Sequence, residues 1–170
     1  MDTSTSATND DASAREWRVA SVAEQTGAID LLLGLAVQRV RVFDVDLSQC
    51  GWNTSQRVES LARFLRTRDA TFELIVHDTR WLEAQGARLA QLLRQFGHAM
   101  TVYRTGPEAR HAMDPLLLVD ERHFVHRFHI DQPRASVAID MPLLAKPLVA
   151  RFEEIWATGE PGLGASVLGL

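Results

Sequence analysis

Met113-Asp114-Pro115-Leu116-Leu117-Leu118-Val119-Asp120, followed by Glu121-Arg122 and the run Phe124-Val125-His126-Arg127-Phe128, is the stretch that decides the fold. Four consecutive apolar residues closed by an acidic one read as a buried strand that stops at a tight turn. The second run reads as its return partner in a hairpin. A loop comes next, and residues 148–156 then form an amphipathic helix that closes the unit.

Working outward toward the N-terminus, Val22, Ile29, Leu32, Leu33 and Ala36 fall at helical spacing within residues 21–38, with Ser21 or Thr26 as the cap. Residues 39–46 alternate as a strand does, which sends Asp44 and Asp46 to the same side near its end. Turn formers occupy residues 47–54, and Val58, Leu61, Ala62 and Leu65 then mark a second helix beginning at 53–55. Residues 72–77 read as a buried strand with Asp78 and Thr79 at its end. A helix over Trp81, Leu82, Leu89, Leu92, Leu93 and Phe96, interrupted at Gly86 and stopped at Gly97, leads to a strand over residues 98–104. This alternation predicts an α/β fold: a mixed, mostly parallel sheet flanked by helices.

One domain is expected over residues 15–157. Residues 1–14 are rich in Thr, Ser, Asn, Asp and Ala without periodicity, and cannot bury enough apolar surface to offset the entropy of ordering, so they read as a disordered tail. Residues 158–170, with four Gly and one Pro, read as a flexible tail. With 170 residues, 46% of them hydrophobic, the chain can bury a single sizeable core. A formal net charge of -4 gives no global attraction for nucleic acid. Lys146 is the only lysine, so positive charge is carried by arginine. The single Cys50 excludes an intrachain disulfide and a cysteine-based zinc site, and reads as a small apolar residue near a strand end. No apolar run approaches the roughly 18 residues that would span a bilayer. A cytoplasmic protein with no membrane partner is the expectation.

Ligands of such sheets bind beyond the carboxyl ends of the strands. The strand ends here supply Asp44, Asp46, His77, Asp78, Thr79, Arg104, Thr105 and Asp120, with His126 and Arg127 on the return strand and Asn53 and Arg57 at the start of the second helix. Converging on one rim, they would form a polar site in which Arg57, Arg104 and Arg127 hold an anion. The plain alternative is that they are helix caps and solubilising charges. His123, His126 and His129 stand three apart, so on a strand only His123 and His129 share a face; with Asp131 they give a poor metal set, and no metal or other cofactor is assigned. Ser48 or Thr79 beside His77 or His126 lacks the Gly-x-Ser-x-Gly elbow of a hydrolase, and the glycines after residue 158 precede no helix that could cradle phosphate.

Taken in order, 42–48 with Gly51-Trp52-Asn53, 76–79, 98–105, 114–120, 126–129 and Arg151-Phe152-Glu153-Glu154-Ile155-Trp156 resemble an uncharacterised bacterial family of single phospholipase D-like halves. In the active superfamily a His-x-Lys-x4-Asp motif begins the decisive strand. With Asp120 on the motif's Asp, Met113 takes the place of the nucleophilic His and Pro115 that of the phosphate-binding Lys. The resemblance thus implies the fold without its usual phosphohistidine chemistry. It implies a non-catalytic ligand-binding or regulatory module, whose partner is a small anionic ligand or another protein, and it allows the homodimer that such halves often form. An enzyme acting on a phosphate- or nucleotide-containing substrate through His77 or His126, and a protein-interaction domain, are the other readings.

Overall fold

The structure is a computed structural model that describes residues 13–163. Of the tails expected at residues 1–14 and 158–170, residues 1–12 and 164–170 lie outside the described residues. One eight-stranded sheet runs in the order β1-β7-β6-β5-β2-β3-β4-β8. Its strands are β1 (Arg15–Val19), β2 (Arg39–Asp44), β3 (Thr71–Val76), β4 (Met100–Arg104), β5 (Leu116–Val119), β6 (His123–His129), β7 (Gln132–Ile139) and β8 (Glu160–Leu163). The helices are α1 (Val22–Leu35), α2 (Ser55–Leu65), α3 (Arg80–Gln85), α4 (Ala87–Gln95) and α5 (Pro142–Ala157). A mixed α/β sheet flanked by helices is the class the sequence predicts, but the expected mostly parallel pairing is corrected: β5, β6 and β7 follow one another through short turns, which can join only antiparallel neighbours. Its parallel part is the centre, β2-β3-β4; every other pairing is antiparallel.

Alternation along β2 shows how the two layers arise. Val40 and Val42 join the larger core beneath α1, α2 and α4, which includes Leu32, Leu61, Leu89, Leu74 and Val137. Phe43 turns to the other face and packs with Leu116, Leu118, Phe124, Phe152 and Ile155 under α5. Arg41 shares that second face and is 4% exposed. Its charge is met by Glu121 at 3.5 Å and by Glu73 and Glu153 at 3.7 Å, and its guanidinium lies 5.4 Å from the Phe152 ring centroid.

Several elements depart from expectation. The predicted loop before the last helix holds β7, whose second half is buried on both faces and so shows no clean alternation. The helix predicted over 148–156 starts earlier, at Pro142, and runs through Pro147. Proline at the first helical position costs nothing, because that N–H has no intrahelical acceptor. Pro147 leaves the carbonyl of Leu143 without its helical donor, and Leu143 is 85% exposed, so water can serve that carbonyl. Residues 158–163, expected as part of a tail, turn back to pair as β8 with β4. The turn requires glycine at 159, where a Cβ would stand 2.5 Å from the Tyr103 ring. Tyr103 in turn stacks on Trp156, ring centroids 4.3 Å apart. Gly86 divides the third predicted helix into α3 and α4.

Asp120 lies at the edge of the sheet opposite the ends of β2, β3 and β4, because β5 runs antiparallel to β2, with Val119 facing Val40. Its expected place on the common rim is therefore corrected. Left-handed backbone at Asp120 (φ 52°) and Glu121 (φ 56°) turns the chain into β6. The carboxylate accepts the backbone N–H groups of Val37, Gln38 and Arg39, each at 2.8 Å, while the Asp120 N–H donates to the Arg39 carbonyl. Asp120→Ala should destabilise the fold by roughly 2–4 kcal/mol, since it removes a charged acceptor from three donors, and Asp120→Asn by less. Urea unfolding of the two variants measures the difference.

Candidate functional site

The antiparallel seam between β2 and β5 decides which residues meet. The carboxyl ends of β2, β3 and β4 share an edge with the start of β5 and the end of β6, since Phe43 faces Leu116 and Leu116 faces His126. Asp44, His77, Thr105, Asp114, His126 and Arg127 all belong to this edge.

His77 is held at both nitrogens. Nε2 donates to the Ala112 carbonyl at 2.6 Å, and Nδ1 lies 2.6 Å from the hydroxyl of the fully buried Thr105. The ring meets Phe43 edge-on at 5.3 Å. With no ring nitrogen unengaged, His77 ties β3 to the segment before β5. His126 is differently placed. Among the described residues only its Nε2 is engaged, at 2.8 Å from Asp114 Oδ2. The same oxygen accepts from Arg151 Nε at 2.7 Å, and Arg151 Nη2 reaches Oδ1. Alternation on β6 puts His126 on the α5 face with Phe124, which is why a residue of α5 can complete the group. Burial opposes the charge on Asp114, but hydrogen bonds from His126 and Arg151 outweigh it and hold the carboxyl down at about 2.

The other expected residues serve the scaffold. Asp46 takes the amide and hydroxyl of Ser48 at 2.9 and 2.7 Å. Asn53 Oδ1 accepts from the amides of Arg88 and Leu89 and so caps α4. Asp78 is bound by Arg80, which holds its carboxyl below the usual range, and the Thr79 hydroxyl reaches Glu83 at 3.3 Å. The three arginines do not form an anion pocket. Arg57 is 1% exposed, bonded to Asp30 at 2.7 Å and lying over Trp52 at 4.8 Å. Arg127 is buried and donates to the carbonyls of Gln132 and Ile130 and to Gln49. Arg104 is half exposed, 3.7 Å from Glu160.

The other two histidines of β6 each have Nδ1 bonded to a backbone amide. His123 Nδ1 accepts the Asp140 amide at 2.8 Å, and burial lowers its proton affinity. His129 Nδ1 accepts the amide of Asp131. Among the described residues no three His, Cys, Asp or Glu side chains gather as a metal site would need. Burial pushes the Cys50 thiol up, away from nucleophilic use. No described helix is long and apolar enough to cross a membrane.

Asp114 and Arg151 are the members of the group that sequence reasoning missed. Asp114 stands inside the decisive stretch, between Met113 and Pro115. Arg151 is 37 residues further on, and no local pattern joins the two. Because the folded-state value of Asp114 lies below the ordinary 3.8, its contribution to stability is complete above about that pH and is lost as the pH falls toward 2. Arg151→Ala should move the Asp114 titration upward and shift this acid-side loss to higher pH; carbon-detected NMR titration of the carboxyl reads it directly.

Solved structures of three proteins share this architecture. TrmBL2, described as an archaeal chromatin protein with a novel mode of DNA binding, superposes with a TM-score of 0.65 at 14% identity, over 87% of this chain and 54% of its own. The chain thus spans about half of that protein. Nuc from Salmonella typhimurium, a phospholipase D family member, gives a TM-score of 0.58 at 14% identity, over 87% and 99% of the two chains. NucT from Helicobacter pylori gives 0.59 at 9% identity, over 88% and 99%. At these identities the likeness is one of fold, and it is the phospholipase D-like fold that the family resemblance implies. No curated protein sequence matches the chain. A family model, "Domain of unknown function (DUF7931)", matches residues 22–163, from α1 through β8, and the chain belongs to that family.

Proposed function

We propose that this chain is a non-catalytic phospholipase D-like domain that works as a ligand-binding or regulatory module. The observation that carries the reading is the occupancy of the two motif positions. Met113 offers a thioether where the motif has a nucleophilic imidazole, and Pro115 offers no cation where it has a lysine. Neither can form a phosphoryl-enzyme bond or neutralise phosphate in a transition state. Asp120, the motif residue that remains, spends its carboxylate on three backbone amides at the other edge. Arg104 and Arg151 are cationic groups at the rim that keep part of their surface exposed, so a small anionic ligand is the class favoured, with a partner protein as the alternative. DNA, bound by the structurally similar TrmBL2, enters as a ligand to test; the net charge of -4 speaks against unspecific duplex binding.

One observation favours a second reading. Asp114 orients His126 through Nε2, and Nδ1 has no partner among the described residues. An imidazole fixed by a carboxylate with its second nitrogen available can pass a proton to or from a substrate. This would make the chain an enzyme acting on a phosphate- or nucleotide-containing compound, without a covalent histidine at the motif position.

The two readings separate in one experiment. The purified chain is assayed for hydrolysis of bis(p-nitrophenyl) phosphate, nucleotides and single-stranded DNA, and its melting point is followed against the same panel. The proposal expects no turnover above buffer and a ligand-dependent rise in melting point, with about 2.7 kcal/mol of added stability at 100-fold over Kd. The rise should shrink in Arg104→Ala or Arg151→Ala. Turnover lost in His126→Asn would instead establish the second reading, and the absence of both turnover and shift would remove ligand binding in favour of a protein partner.

A further inference from the structure

Beneath the rim, on the α1 side of the sheet, lies a crevice of about 20 Å³. Its polar lining comes from Gln25 of α1, Asp44 at the end of β2, Cys50 and Arg127, and its apolar walls include Trp52 and Pro115. Three of these groups have bonding capacity left over. Gln25 is 4% exposed, and its Oε1 has no hydrogen-bond partner among the described residues. Asp44 takes the Val45 amide on Oδ1 at 2.6 Å, yet burial still pushes its carboxyl up to about 6. Arg127 is 4% exposed and gives one proton each from Nε, Nη1 and Nη2 to neutral acceptors. A guanidinium carries five N–H protons, so two remain. Asp44 and Arg127 feel one another electrostatically, but neither makes a direct ion pair among the described residues.

We propose that the crevice is a binding site for a single water molecule, which accepts from Arg127 and donates to Gln25 Oε1 and to the Asp44 carboxylate. Size supports it: by this measure a cavity of roughly 10–15 Å³ accommodates one water, and buried waters make about three hydrogen bonds. Charge supports it independently. A cation would face the Arg127 guanidinium and an anion the Asp44 carboxylate, whereas a neutral molecule that both donates and accepts complements each. Two opposite charges that do not touch become a water-mediated pair. The site links α1, β2 and β6 just below the position of the motif lysine, and does not depend on how the rim functions.

A crystal structure of the full chain, at a resolution that orders individual waters, tests the assignment. The expected result is one fully occupied peak within hydrogen-bond distance of Gln25 Oε1 and an Asp44 oxygen, absent in Gln25→Leu. Should that variant fail to fold, the wild type decides alone: magnetisation transfer from water to the amide protons around Asp44 should show a long-lived molecule by NMR. No peak, a crevice closed by direct contact between Arg127 and Asp44, or replacement of the peak by rubidium in an anomalous map would each overturn the proposal.

Discussion

The β2-β5 seam is the constraint on which the rest of the molecule depends. On one side of it the sheet is parallel through β2-β3-β4, and on the other it is an antiparallel meander from β5 to β7. A slip of one residue at this seam would exchange the faces of β5 and send Leu116 and Leu118 away from α5 and into the opposite layer. Asp120 prevents the slip by gathering the amides of residues 37–39 onto one carboxylate, which fixes the entry to β2 against the exit from β5. The position of His126 beside Asp114, and that of the crevice below them, both follow from this register.

What could be read from the sequence was what had a period. The strands at the centre carry apolar runs or strict alternation, and α1, α2 and α4 bury a single stripe, so local pattern and tertiary position agree. The strands that escaped notice lacked any such agreement. Arg15-Glu16-Trp17-Arg18-Val19 is a strand because β7 offers it a partner, not because of its own composition. Glu160-Pro161-Gly162-Leu163 has the residues of a turn, and extends only because Tyr103 and β4 lie alongside. The first turns of α5 were hidden by Pro147, whose penalty is relieved by exposure of the preceding turn. At the rim, the types of residue were legible but their pairings were not. His77 and His126 look alike as strand-end histidines; one is locked by Thr105 and Ala112, and the other is left with a nitrogen available, because their neighbours come from segments up to 35 residues away.

Charges at the rim are mostly consumed within the protein. Asp44 faces inward, Arg57 and Arg127 are buried, and Asp46, Asn53 and Asp78 organise loops and helix starts. A polar edge of this composition is thus spent largely on stability. Asp120 fits the same logic, since its carboxylate is spent on holding the seam.

The two outermost strands have a consequence for the protein in a crowded solution. An exposed strand edge is a template for another chain, and sheets with long, flat, apolar edges grow by accretion. Here β1 presents Arg15, Glu16 and Arg18, while β8 is four residues long and contains Pro161, which has no amide to donate. Both margins, as described, are therefore poor templates for a ninth strand, and that protection comes from the same short segments that carry the least sequence signal.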